Sequence, residues 1–341
     1  MGERDEEDAE VPPELRRPSA VRPPRRAPTR CATHRDLVAF TDAGLPRGIE
    51  MTLTAPEQGR WTIVRANLDR GTVQIGANAG ATVRHGRTPG SMVVFHVALS
   101  GPPPTCGGIR PGKARVGVFG PGADLFEAVR GPGRWATFAA ELSVIDDART
   151  RLRLVESVYG PGESRVVRVP RRVHDELRRL VANVEHRIVR VPGDFDDAAV
   201  RTGLLRVLAE RFTSAVAVGR RVWPRGAATE HARILAVCLN HLRATQDHVV
   251  SIPELSDAVR SSRRTLTRVF AGAFEVSPAR YLRLRRLNQV RAWLRHASPS
   301  RTPVTDAAMR FGFFELGRFA RDYRRLFGEL PSETFARRAG F

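Results

Sequence analysis

The sequence predicts an α+β multidomain chain, with a β-rich N-terminal half, a pair of helices after it and an all-α C-terminal third. Three observations carry this prediction. Short apolar runs between about 40 and 165 alternate with period two, amphipathic helical patterns follow from 173 to 218, and a helix-turn-helix grammar occurs twice towards the C-terminus. With 341 residues the chain is long enough to bury two separate cores. The boundaries expected are a disordered tail over 1–35, a first domain over 36–218, a linker over 219–230 and a last domain over 231–338.

Residues 1–35 open with MGERDEEDAE and continue as PPELRRPSAVRPPRRAPTR, where prolines and charges leave little to bury. The same stretch could serve as a basic arm on DNA phosphates. Its acidic start has the wrong charge for a secretory signal, and no run of about 20 apolar residues exists to span a membrane. Cys31, Cys106 and Cys238 are scattered and form neither a disulfide framework nor a CxxC metal pair. A soluble cytoplasmic protein is the expectation.

From Phe40 to Arg165 the runs WTIVRANL, GTVQIG, ATVRHG, SMVVFHVAL and ARVGVFGPG are punctuated by glycine and proline. This regularity predicts an antiparallel sheet curled into a small barrel or sandwich rather than a βαβ fold. Phe95, Phe119, Phe126, Trp135 and Phe138 either line a pocket in it or fill its core. Two helices come next. Val173, Leu177, Leu180, Val181 and Val184 form one apolar stripe, and Val200, Leu204, Leu205, Leu208 and Phe212 form another. The pair either completes the first core or makes a self-association face. GRRVWPRGAATE, with Pro224 and Gly226, then interrupts any continuous helix.

The net charge is +20, and Lys113 is the only lysine. Part of this arginine reflects a GC-rich coding bias, so composition alone oversells nucleic acid. Placement says more, since the segment from His231 onward holds 20 arginines against 9 acidic residues. Within it, SIPELSDAVRSSRRTLTRVFAGAF predicts a helix from Ser251 or Pro253, a break near Arg260 and Ser261, and a second helix capped by Ser262. The grammar returns 53 residues later, pairing Leu255 with Ala308, Leu266 with Phe319, Phe270 with Tyr323 and Arg268 with Arg321. Ala279 to His296 predicts a long helix between the two units.

Two such helices on one body can enter successive major grooves about 34 Å apart. The first recognition helix presents Arg263, Arg264, Thr267 and Arg268, and the second Leu316, Gly317, Ala320 and Arg321. Arginine bridges guanine O6 and N7, so Arg264, Arg268 and Arg321 are the expected base readers. Arg263, Arg283, Arg286, Arg291, Arg324 and Arg325 are expected on phosphates, where contacts fix register only. Gly312 is read as a turn residue with Phe313 plugging the core beneath it.

The stretches LSDAVRSSRRTLTRVF, RLNQVRAWL and GFFELGRFARDYRRLFGELPSE resemble the AraC/XylS family of bacterial transcription regulators over about 231–338. The resemblance implies base contacts from Arg264, Thr267 and Arg268 in the first unit and from Leu316, Gly317, Ala320 and Arg321 in the second. It implies a promoter-bound regulator, an activator rather than a repressor, that meets double-stranded DNA and RNA polymerase and associates with the nucleoid when bound. It further implies that the first domain is cupin-like and senses a small-molecule effector or governs homodimer pairing. Two departures stand out: Arg260 and Ser261 replace the usual glycine and valine, and Tyr323 replaces a phenylalanine.

His85 and His96 lack the HxH pattern of a metal-bearing cupin, so neither metal nor cofactor is expected. An enzyme fused to a DNA-binding module finds no GxSxG, P-loop, HExxH or paired cysteine motif. The competing binding function is an architectural protein that uses arginine without selecting sequence.

Overall fold

A computed structural model describes residues 29–44, 48–106, 112, 114–222, 227–245, 248–296 and 303–339. In chain order the strands are β1 (Thr29–His34), β2 (Ile49–Leu53), β3 (Trp61–Asn67), β4 (Gly71–Asn78), β5 (Thr82–Arg87), β6 (Met92–Ser100), β7 (Thr105–Cys106), β8 (Arg115–Phe119), β9 (Asp124–Val129), β10 (Gly133–Glu141), β11 (Ser164–Arg168) and β12 (Arg220–Arg221). The helices are α1 (Leu37–Gly44), α2 (Leu142–Arg151), α3 (Arg171–Arg190), α4 (Ala198–Ala217), α5 (Ala227–Ala244), α6 (Ile252–Val259), α7 (Arg263–Phe274), α8 (Pro278–His296), α9 (Pro303–Arg310), α10 (Leu316–Phe327) and α11 (Pro331–Ala339).

The strands form two antiparallel sheets, ordered β1-β3-β4-β10-β6-β8-β11-β12 and β2-β5-β9-β7. Among the described residues the end strands of neither sheet pair with each other, so the sheets are open and the expected barrel does not close. Period-two alternation assigns the faces of the large sheet. Phe95 and Phe138 sit opposite each other in register, and they join Phe212 of α4 at ring separations of 5.5–6.0 Å. His96 and Thr137, the next pair along, point to the other side, towards the small sheet.

The stripes of α3 and α4 belong to the first of these faces. Leu177, Val181, Val184, Ile188, Leu208 and Phe212 are buried with Phe95 and Phe138 in one cluster. Their apolar faces therefore complete the core and are spent there. Of the aromatic residues expected in a pocket or core, only Trp135 lines the space between the sheets. Phe119 packs in a small cluster with Val94 and Leu125, and Phe126 packs against the C-terminal helices.

Two boundaries differ from expectation. Residues 29–34, read as tail, form β1 and pair with β3; residues 1–28 lie outside the described residues. Residues 220–221, read as linker, form β12 against β11, and α5 begins at Ala227. Both stretches hold backbone donors and acceptors that an adjacent sheet edge or a helical turn can satisfy, whatever their side-chain polarity.

In the C-terminal part, α6 starts with a capping box in which Ser251 accepts from the Glu254 amide and the Glu254 side chain accepts from the Ser251 amide. Arg260 ends α6 in the left-handed region, at φ 50° and ψ 45°. The turn thus keeps the backbone shape that suits glycine while carrying a side chain, which costs about 1–2 kcal/mol. Arg260→Gly is expected to stabilise the protein by about 1 kcal/mol, less than the full strain because glycine also loosens the unfolded chain; a urea midpoint measures it.

Candidate nucleic-acid interface

The repeat is realised in space. Leu266 and Phe270 of α7 and their counterparts Phe319 and Tyr323 of α10 are all buried, while Arg268 and Arg321 are exposed. Helical spacing explains this, because positions three and four apart share a face and the intervening residues point away. The Tyr323 hydroxyl finds the partner it needs by donating to Thr334 Oγ1 at 2.9 Å.

Each recognition helix is aimed by the turn before it. For α7, Ser262 caps the N-terminus by accepting from the Thr265 amide at 3.2 Å. For α10, Gly312 sits at φ 74°, and a Cβ there would stand 2.8 Å from the Val249 side chain. Phe313 is buried beneath it against Phe319, with ring centroids 5.0 Å apart. Glycine is required at 312 both for its backbone angle and for this close approach.

Of the expected base contacts, Arg264, Thr267, Arg268, Leu316, Gly317 and Arg321 are exposed, and Ala320 is half-buried. The Thr267 hydroxyl donates to the Arg263 carbonyl at 2.9 Å, so its oxygen is partly engaged. Phe314, which the sequence reading does not single out, is 78% exposed beside exposed Leu316. The signal was the second phenylalanine of GFF, since one aromatic plugs the core and the other must go elsewhere.

The expected phosphate contacts divide. Arg263, Arg324 and Arg325 are exposed. Arg283 is half-buried, ion-paired to Asp322 at 2.5 Å and 5.4 Å from the centre of the Phe313 ring. Arg286 is half-buried and donates to the Phe311 and Gly312 carbonyls at 3.4 and 3.2 Å, bracing the turn before α10. Arg291 is 3% exposed and faces inward onto carboxylates. A phosphate role for Arg291 is therefore excluded, and Arg283 and Arg286 serve first as struts. Their helix, α8, buries residues on several sides, among them Tyr281, Leu284, Arg285, Leu287, Val290 and Arg291.

A family model described as a helix-turn-helix domain matches residues 255–337. Over 85 residues, 25% of this chain and 26% of the other, the sequence is 39% identical to a XylDLEGF operon transcriptional activator of Pseudomonas putida. Over 100 residues, 29% of this chain and 30% of the other, it is 32% identical to the probable thc operon regulatory protein of Rhodococcus erythropolis. A solved transcriptional regulator from Chromobacterium violaceum, of the group containing AraC-type DNA-binding domains, is 28% identical. That match covers 34% of this chain and 98% of that one at a TM-score of 0.29. The chain spans between a quarter and a third of the length of these two curated relatives. Residues 255–337 thus form a helix-turn-helix domain similar to those of these transcription regulators.

Proposed function

We propose that the protein is a sequence-specific DNA-binding transcription regulator, an activator that responds to a small-molecule effector. One observation carries the reading: two helix-turn-helix units share α8, and each turns an arginine at the same repeat position, Arg268 and Arg321, to solvent. Arginine on a recognition helix supports base readout, and two units on one chain support contact with successive major grooves. RNA polymerase at the promoter is the partner such an activator would meet. The activator name of the Pseudomonas putida relative supports that sign of regulation.

The effector part of the reading rests on a cavity of about 240 Å³ between the two sheets. Arg84, Glu127, His96, Gln74 and Trp135 reach it from both sheets. Arg84 is 5% exposed, stands 2.9 Å from Glu127 and lies 5.1 Å from the centre of the Trp135 ring. Its Nε has no hydrogen-bond partner among the described residues. Burial drives His96 down to about 4, so it is neutral near pH 7. A cavity below about 300 Å³ suits a compact ligand, and an arginine with unused N–H groups suits one bearing an acceptor.

Homodimer pairing would use the outer face of α3 and α4, where Val189 and Val207 remain exposed, with Val191 just after α3. Cytoplasmic residence and association with the nucleoid follow from the same proposal. Competition binding at about 0.15 M salt tests it. A matched site is expected to bind about 10³-fold or more tightly than a scrambled duplex, whereas equal binding would favour the architectural alternative.

A further inference from the structure

The N-terminal part touches each helix-turn-helix unit separately. Against the first unit, Val83 of β5 and Ala128 of β9 join the cluster of Leu235, Leu255 and Phe270. Against the second, Leu53 and Trp61 join the cluster of Leu294, Phe319 and Phe327. Along α8, which links the units, a seam of polar contacts runs to the N-terminal part. The Asn288 side chain makes a paired bridge to the Leu53 backbone, accepting from its amide at 3.0 Å and donating to its carbonyl at 3.1 Å. Two turns on, Arg295 donates to Asp36 at 2.6 Å.

Arg291 sits where three segments meet. It lies 3.4 Å from Glu57 in the β2–β3 loop, 3.9 Å from Asp36 at the start of α1, and 3.2 Å from Glu329 just after α10. Its guanidinium is stacked 4.4 Å from the centre of the Phe327 ring, on the last residue of α10. Asp36, Glu329 and Arg291 are all buried. Glu57 is held in turn, its Oε1 accepting from the Leu37 amide and the Trp61 indole at 2.8 and 2.9 Å. A buried cation shared among carboxylates from separate segments is costly to break, because each charge left behind has no other partner. Such a site fixes geometry more than it adds stability.

We propose that Arg291 is a positioning residue for DNA recognition, which joins the N-terminal part to the end of α10 and so fixes the spacing between the two recognition helices. This rests on the reading of α7 and α10 as DNA-contacting helices. The consequence is that the N-terminal part acts as a jig. Each unit can bind its own half-site without it, but the pair acts as one rigid reader only while the Arg291 junction is closed. Rigid tethering raises the effective concentration of the second unit at its half-site, and loosening the tether removes that gain.

The test uses the full chain as wild type, Glu57→Gln, Asp36→Asn and Arg291→Lys. The DNA probes are a selected site, the same site with two base pairs inserted between its halves, and the first half-site alone. The insertion turns one half by about 70° relative to the other. Wild type is expected to prefer the native spacing by about tenfold or more. In Glu57→Gln, which can keep the Leu37 and Trp61 hydrogen bonds, and in Asp36→Asn, the preference is expected to fall below about threefold with half-site binding unchanged. Arg291→Lys should retain an intermediate preference, since it keeps a positive charge without the fork. Circular dichroism melts identify folded variants. Folded Glu57→Gln and Asp36→Asn proteins that keep the full wild-type spacing preference would overturn the proposal. Wild-type protein that binds selected and scrambled DNA alike would instead overturn the regulator reading beneath it.

Discussion

Arg268→Ala is expected to weaken binding to a matched site by about 1–3 kcal/mol and to relax preference at one base position, with little change on scrambled duplex. Arg268 is exposed on α7, outside the buried stripe of Leu266, Val269 and Phe270, so its removal leaves the helix packed. What is lost is a bidentate donor pair, and such a pair discriminates because the wrong base leaves its own groups unmatched. Arg324→Ala supplies the contrast. It too is exposed, but it lies in the last turn of α10, whereas a recognition helix reads bases from its N-terminal residues. Its loss should weaken all duplexes alike and lower the salt slope by about one charge. Anisotropy titrations of both variants on matched and scrambled DNA separate the roles, and comparable losses on both probes would refute the division.

Arg84→Met is expected to destabilise the protein by about 3–5 kcal/mol at pH 7, because it leaves the 1% exposed Glu127 carboxylate without its cation. In the wild type, burial pushes Glu127 up, but His96 and Arg84 together hold it below the ordinary carboxylate range. A carboxyl group lowered on folding stabilises the protein above its unfolded value, and that contribution fades as pH falls through the folded one. In the variant one of the groups that offset the burial of Glu127 is gone, so Glu127 titrates higher in the folded state than it does in the wild type, and the stability lost is largest where the carboxylate is charged. Denaturant titrations between about pH 7 and pH 4 should show the gap between variant and wild type narrowing on the acid side. A gap that stays constant or widens would mean that Glu127 is not charged in the cavity.

Much of the C-terminal part was legible because local signals agree there. Ser251, Ser262 and Gly312 mark the turns, and apolar residues at helical spacing mark the buried faces, as the structure bears out at Leu266, Phe270, Phe319 and Tyr323. The arginines of α8 were not legible. Arg291, expected on a phosphate, instead faces the carboxylates of Glu57 and Asp36, more than 200 residues away in the chain, and Arg286, expected there too, braces the turn before α10. Helical periodicity reports which face one element buries against its neighbours in sequence, and it carries no sign of a second surface arriving from elsewhere. The same limit applies to the sheets. Alternation predicted strands, but whether their edges close depends on pairing between distant segments, which no single strand encodes. Trp135 and Phe138 illustrate the point, since both are apolar strand residues and only the sheet's packing decides that one faces the cavity and the other the helices.

The central claim is sequence-specific recognition by two units on one chain, and selection of genomic DNA fragments by the purified full-length protein at about 0.15 M salt tests it most directly. The account predicts recovery of a shared motif with two half-sites about one helical turn apart. Recovery of fragments without a common motif would contradict it, leaving Arg264, Arg268 and Arg321 as phosphate contacts of an architectural DNA-binding protein.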